Sequence, residues 1–213
     1  YFHSDGDANS AAGCGNLSTV RPNKETPDQF TYNPMFPVPT KGGCNCCDPH
    51  IIPWGSYDQR EVEARSDVLV YTSEELDKPV EVTGPITVKL FASTDCLDTD
   101  FTAKLVDVYP DGRALNLCDG IVRARYRNST AKLELLEPNK IYEFNIDLWP
   151  TSNVFKAGHK IRVDISSSNF PRFDRNTNTG NNINSDSDLK IANQTVYHEP
   201  EMLSQIILPI IPD

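Results

Sequence analysis

The richest cluster of reactive side chains is Cys44-x-Cys46-Cys47, with His50 just beyond it. A structural zinc site usually pairs two C-x2-C-like knuckles, and no second pair follows here, so the spacing argues against metal. A vicinal disulfide is a second reading, and packed free thiols are the default third. Asp95-x-x-Asp98-x-Asp100 gathers carboxylates as a hard cation would require. Asp98-Thr99-Asp100 also suits a strand start, where Asp and Thr side chains bond local backbone amides, and this reading is adopted. His3, His50, His159 and His198 are scattered. His159, in Ala157-Gly158-His159-Lys160, reads as an exposed turn residue, and His3 and His198 as structural residues in loop-like ends. Arg123, Arg125 and Arg127 fall on one face of an alternating segment, facing carboxylates such as Glu143 and Asp147.

No G-x-S-x-G elbow, H-E-x-x-H pair, P-loop or dinucleotide fingerprint occurs in the chain. The expectation is that this chain alone is not an enzyme and takes no metal or cofactor. One segment stands apart. Ser166–Asn176 carries two phenylalanines around a proline and two arginines around an aspartate. Such a segment packs against something of fixed shape. Phe170 and Pro171 are expected to be packed, with Arg172, Asp174 and Arg175 pairing with one another or with the N-terminal segment. Together these five form the candidate docking element.

The elements that would position these residues are strands. Ile86, Val88, Leu90 and Ala92 alternate with polar positions, as do Tyr142, Phe144, Ile146 and Leu148, and Ile161, Val163 and Ile165. Further strands are read at 67–72, 101–108, 114–118, 121–127, 195–198 and 204–210. Tyr109-Pro110-Asp111-Gly112 is a turn signal, and 176–189 a long loop. Trp149 closes a strand before Pro150 and reads as packed. Eight or more short strands without a helical stripe predict an all-β, antiparallel jelly-roll β-sandwich over 66–213. Residues 1–65 show no periodicity and are punctuated by Pro, Gly and Asn. They predict a long irregular N-terminal arm, packed on the sandwich or on an absent catalytic domain.

Composition narrows the partners. Thirty acidic against 20 basic residues give a net charge of −10, which argues against nucleic acid. No run of about 18 apolar residues is present, so no membrane span is expected. Six cysteines in 213 residues are too few for a disulfide scaffold, which points to the cytoplasm. Secretion stays open, because a signal peptide could have preceded Tyr1; the chain lacks an initiating Met and reads as processed or as a piece of something longer.

Several stretches carry a family likeness. They are Tyr57-Asp58-Gln59-Arg60-x-x-Glu63-x-Arg65-x-Asp67-Val68-Leu69, Val82-Thr83-Gly84-Pro85, Asp98–Val108, Pro110–Ala114, Asp119–Arg127, Thr151–Phe155, Ser166–Asn176 and Leu208–Pro212. In order, they resemble the serine hydrolase family that includes cocaine esterase, amino-acid ester acylases and X-Pro dipeptidyl peptidases. The resemblance implies an α/β-hydrolase domain with a Ser-Asp-His triad, a helical cap and a C-terminal galactose-binding-like jelly roll. This chain resembles the jelly roll alone, so no catalytic residue is carried over. It implies a catalytic domain of the same polypeptide as partner, acting on ester or amide bonds, with homodimerisation a further expectation. It also implies that the segment after Gly42-Gly43 reaches the active-site mouth, which makes Cys46 and Cys47 the substrate-proximal candidates. The competing reading is a free-standing carbohydrate- or ligand-binding module, with Trp54 or Trp149 as a stacking platform.

Overall fold

A computed structural model describes residues 1–46, 48–182 and 185–212. The strands are β1 (Phe2–His3), β2 (Asn16–Leu17), β3 (Asp28–Tyr32), β4 (Leu69–Ser73), β5 (Val80–Thr94), β6 (Asp100–Val108), β7 (Ala114–Arg123), β8 (Tyr142–Phe155), β9 (Lys160–Ser166), β10 (Ala192–Glu199), β11 (Met202–Leu203) and β12 (Gln205–Ile207). A one-turn helix, α1 (Arg60–Glu63), and a 3-10 turn at Ala124–Tyr126 complete the order.

The strands form two sheets of a β-sandwich. The first runs β1-β2-β4-β9-β6-β7, antiparallel except where β2 meets β4. In the second, β5 is central: β8 pairs along nearly its whole length, β10 and β12 pair on the opposite side, and β3 and β11 pair with β10. Alternation decides what lies between the sheets. Phe101, Ala103 and Leu105 of β6 meet Ile86, Val88, Leu90 and Ala92 of β5 and Phe144, Ile146 and Leu148 of β8 in one buried cluster. At Gly120 of β7 a Cβ would sit 2.0 Å from the Asp147 carbonyl oxygen, so only glycine lets β7 and β8 approach this closely.

Several local expectations are corrected. The first 65 residues are not wholly irregular: β1 and β2 extend the first sheet and β3 joins the second. The segment 121–127 leaves the sheet at Ala124. Asp98 lies buried beneath it and accepts the Arg125 backbone N–H at 2.9 Å and its Nε at 2.7 Å, which turns the chain. The arginine row therefore faces Asp100, Asp98 and Glu134 rather than Glu143 and Asp147. Asn176 bridges Asp98 and Asp100 from its amide, at 2.7 and 2.8 Å. His159 is buried, with Nδ1 2.8 Å from Asp107 and its ring against Tyr109, because the turn folds back under β6. Trp149 is not packed: it is 67% exposed and holds φ at +67° beside the β5–β8 irregularity. The Tyr109–Gly112 turn forms as expected, the Gly112 N–H donating to the Tyr109 carbonyl at 2.9 Å.

Candidate docking face and the polar layer beneath it

Residues 33–46 and 48–68 form a strap across the outer face of the first sheet. Its far end is tied by backbone bonds: the Gln59 N–H donates to the Ala114 carbonyl at 2.7 Å, and Asp58 bridges to Leu115 at the edge of β7. Its near end pairs with the segment after β9. The Phe170 N–H donates to Val38 and the Thr40 N–H to Phe170, at 2.9 and 2.6 Å, while Ser168 Oγ accepts from Val38 N–H at 2.8 Å. Val38 and Val62 pack with Val68 and Val70 in a small cluster of their own. Between the ends, Gly43 and Gly55 exchange two backbone bonds and Tyr57 packs on Gly42. Gly42 and Gly43 hold φ at +71° and +103°, which suits residues without a Cβ.

Apolar side chains project outward from these linked segments. Met35, Phe36, Ile51, Trp54, Tyr57 and Phe170 are all exposed, Ile51 and Phe36 to about 70%. Scattered exposed apolar residues need no explanation, whereas several carried by neighbouring segments make this the candidate docking face. The aromatic members suit that role, since rings give large contact area with few rotors to freeze.

Beneath the strap lies a buried polar layer. Across β4, β9, β6 and β7 the register aligns Val70, Asp164, Lys104 and Asp119 in one row on the face opposite the core. On an open sheet these charges would be solvated. Here Asp164, Lys104 and Asp119 are each less than 5% exposed, and Gln59 and Glu63 above them are fully buried. Gln59 is the hub: its amide nitrogen donates to the Lys41 and Tyr57 carbonyls, and its oxygen accepts from Lys104 Nζ at 3.1 Å. Arg162 binds Glu63, and Arg172 binds Asp119, which also accepts from Asn169 at 2.8 Å. Burial raises the Asp164 carboxyl to about 8, and the nearby Glu63 charge adds to the effect; burial also raises Glu63 and lowers Lys104.

The structure sorts the expected site residues. Pro171 is exposed rather than packed, and Phe170 sits at the rim, 39% exposed: its backbone makes the contacts with the strap while its side chain is only partly covered. Of the two pairings expected for Arg172, Asp174 and Arg175, that with one another is absent among the described residues, and that with the N-terminal segment is found for Arg172 and Arg175. Arg172 goes to Asp119, its backbone N–H goes to Thr40, Arg175 reaches the Pro34 carbonyl at 2.9 Å, and the Asp174 carbonyl accepts from Arg123. Cys46 is exposed and disulfide-bonded rather than a free thiol. Cys47 lies outside the described residues. Cys14, Cys44, Cys96 and Cys118 are free. The sequence reading missed Gln59, Glu63, Lys104 and Asp164 as a group. A lysine alternating with Ala103 and Leu105 reads as an outward, solvated residue, and only the strap makes it buried.

The two sheets and their shared apolar core define a β-sandwich domain. The chain belongs to the family of X-Pro dipeptidyl-peptidase C-terminal non-catalytic domains, whose model matches residues 4–207. It is 48% identical over 213 residues to cocaine esterase from Rhodococcus sp. (strain MB1 Bresler), covering 99% of this chain and 37% of that protein. Among solved structures, an aminopeptidase from a marine-sediment Thaumarchaeota archaeon superposes with a TM-score of 0.86 at 31% identity, covering 100% of this chain and 37% of that one. An α-amino acid ester hydrolase does so with a TM-score of 0.86 at 32% identity, covering 98% and 36%. The chain thus spans a little over a third of the length of these relatives.

Proposed function

We propose that this domain braces an α/β-hydrolase-type serine hydrolase domain of the same polypeptide, acting on ester or amide bonds, and helps to line its pocket. The observation that carries the reading is the strap: Met35, Phe36 and Phe170 stand exposed beside the backbone bonds that join Val38 and Thr40 to Phe170, and Ile51 and Trp54 stand exposed on the chain leading to Gly55. The relatives that match over this whole chain bear the names of an esterase, an ester hydrolase and an aminopeptidase, and each is almost three times as long. The strap beyond Gly43 carries exposed Cys46 and is the segment proposed to reach the substrate mouth. In this reading the nucleophile and its histidine belong to the partner domain.

The test mixes this chain with the separately produced hydrolase domain of the cocaine esterase relative and measures binding by calorimetry. Binding that weakens with Phe36→Ala supports the proposal. Burst hydrolysis of an activated ester by the 213-residue chain alone, blocked by a serine-directed phosphonate, overturns it. A second reading, a carbohydrate-binding module, draws on the exposed Trp149. Sugar-induced quenching of tryptophan fluorescence that is lost in Trp149→Ala would favour that reading instead.

A further inference from the structure

The layer under the strap is unbalanced in its hydrogen bonds. Arg162 is committed to Glu63 and Thr72, and Arg172 to Asp119. Lys104 donates to Gln59. Among the described residues, neither oxygen of Asp164 has a hydrogen-bond partner, and Glu63 Oε1 has none. An ionised carboxylate with no donor, sealed from water, is strongly disfavoured. The charged groups that act on it are Glu63 on the strap, Lys104 on β6 and Arg162 on its own strand; Asp119 on β7 and Arg172 after β9 act in turn on Lys104, and Asp58 on Glu63. The inexpensive state of Asp164 in this setting is the neutral acid, and near neutral pH that state is favoured only while the strap covers it.

We infer that the strap is a proton-operated latch: closing residues 56–68 over the first sheet takes up one proton, which Asp164 holds, and opening releases it. The raised Asp164 carboxyl agrees with the geometry. The sign follows from linkage. The closed form keeps its proton up to about pH 8, whereas an open, solvated Asp gives it up near pH 4. Closure is therefore firmest in acid, weakens about tenfold per pH unit between those values, and levels off above the higher one. Lys104 works in the opposite sense, since burial favours its neutral form. Because residues 56–68 include Tyr57 and continue directly from Trp54, the latch would act on the face assigned above to docking; that consequence rests on the proposed function, but the latch itself does not.

Hydrogen exchange on the 213-residue chain tests it. The strap amides of Gln59, Glu63 and Ala64 are followed from pH 5 to pH 9, corrected for intrinsic rates, with β6 and β9 amides reporting global opening. The expected result is a strap protection factor that falls about tenfold per pH unit up to about pH 8 and then flattens. In Asp164→Asn, a near-isosteric mimic of the neutral acid, that slope should fall markedly, any remainder belonging to the raised Glu63 carboxyl, whereas in Lys104→Met it should persist. A flat profile in the unmodified chain, or an unchanged slope in Asp164→Asn, overturns the latch. Neither outcome depends on whether a hydrolase domain binds.

Discussion

Phe170→Ala separates the two roles of the segment after β9. The backbone of Phe170 makes its bonds to Val38 and Thr40 whatever the side chain, so alanine keeps the strap attached. The ring is 39% exposed, so roughly six-tenths of the residue's surface is covered. A fully buried Phe→Ala change costs about 3–5 kcal/mol, part of it from the cavity left behind. At this rim position water fills the space, the cavity contribution largely drops out, and the stability loss should be about 1–2 kcal/mol. If the exposed part of the ring docks on a hydrolase domain, its removal should weaken that binding by about 1–2 kcal/mol as well, or roughly 5- to 30-fold in Kd. Urea unfolding of the chain gives the first quantity, and calorimetric titration with the hydrolase domain gives the second. A stability loss above 3 kcal/mol would show the ring to be a core residue. An unchanged Kd would remove Phe170 from the docking face.

Gly120→Ala should be among the most damaging single substitutions, because the new Cβ meets the backbone of Asp147 and Leu148, which cannot rotate away; a loss of about 3 kcal/mol or more by urea melting is expected, and an unchanged midpoint would refute the close approach of β7 and β8. Burial raises the Asp28 carboxyl, but bonds from His198, Ser4, Ala8 and Tyr71 outweigh it and hold it below the usual range. Its contribution is present above the ordinary carboxylate pKa and lost as the pH falls through the lowered value. Asp28→Asn should therefore destabilise clearly at pH 7, with the gap to the unmodified chain narrowing toward pH 3 in paired thermal melts; a gap independent of pH would refute the ionised assignment.

What the sequence made legible follows from the range of each signal. Period-two alternation is local, so β5, β8 and β9 could be read directly, and Ile86–Ala92 and Tyr142–Leu148 face the core as their patterns require. Isolated polar residues carry no such signal. Lys104 and Asp164 alternate with apolar neighbours as surface residues do, yet both are buried, because a strap about 40 residues earlier in sequence than Lys104 crosses their face and brings Gln59 and Glu63 onto them. The same strap explains the failure at Phe170. The sequence pattern showed that the segment needs a partner of fixed shape, and the partner is Val38–Thr40, met through the backbone. Backbone pairing leaves side chains free to point outward, so the aromatic composition that implied packing within the chain belongs to a surface. His159 erred in the other direction: a Gly-His turn reads as exposed, but Asp107 on β6 and Tyr109 just after it enclose the imidazole. In each case the sequence identified a residue that needs a partner. The side of the sheet on which that partner lies depends on how the irregular third of the chain is laid over the regular remainder. That path is set by single contacts such as Gln59 with Lys104 and Val38 with Phe170, which have no period to detect.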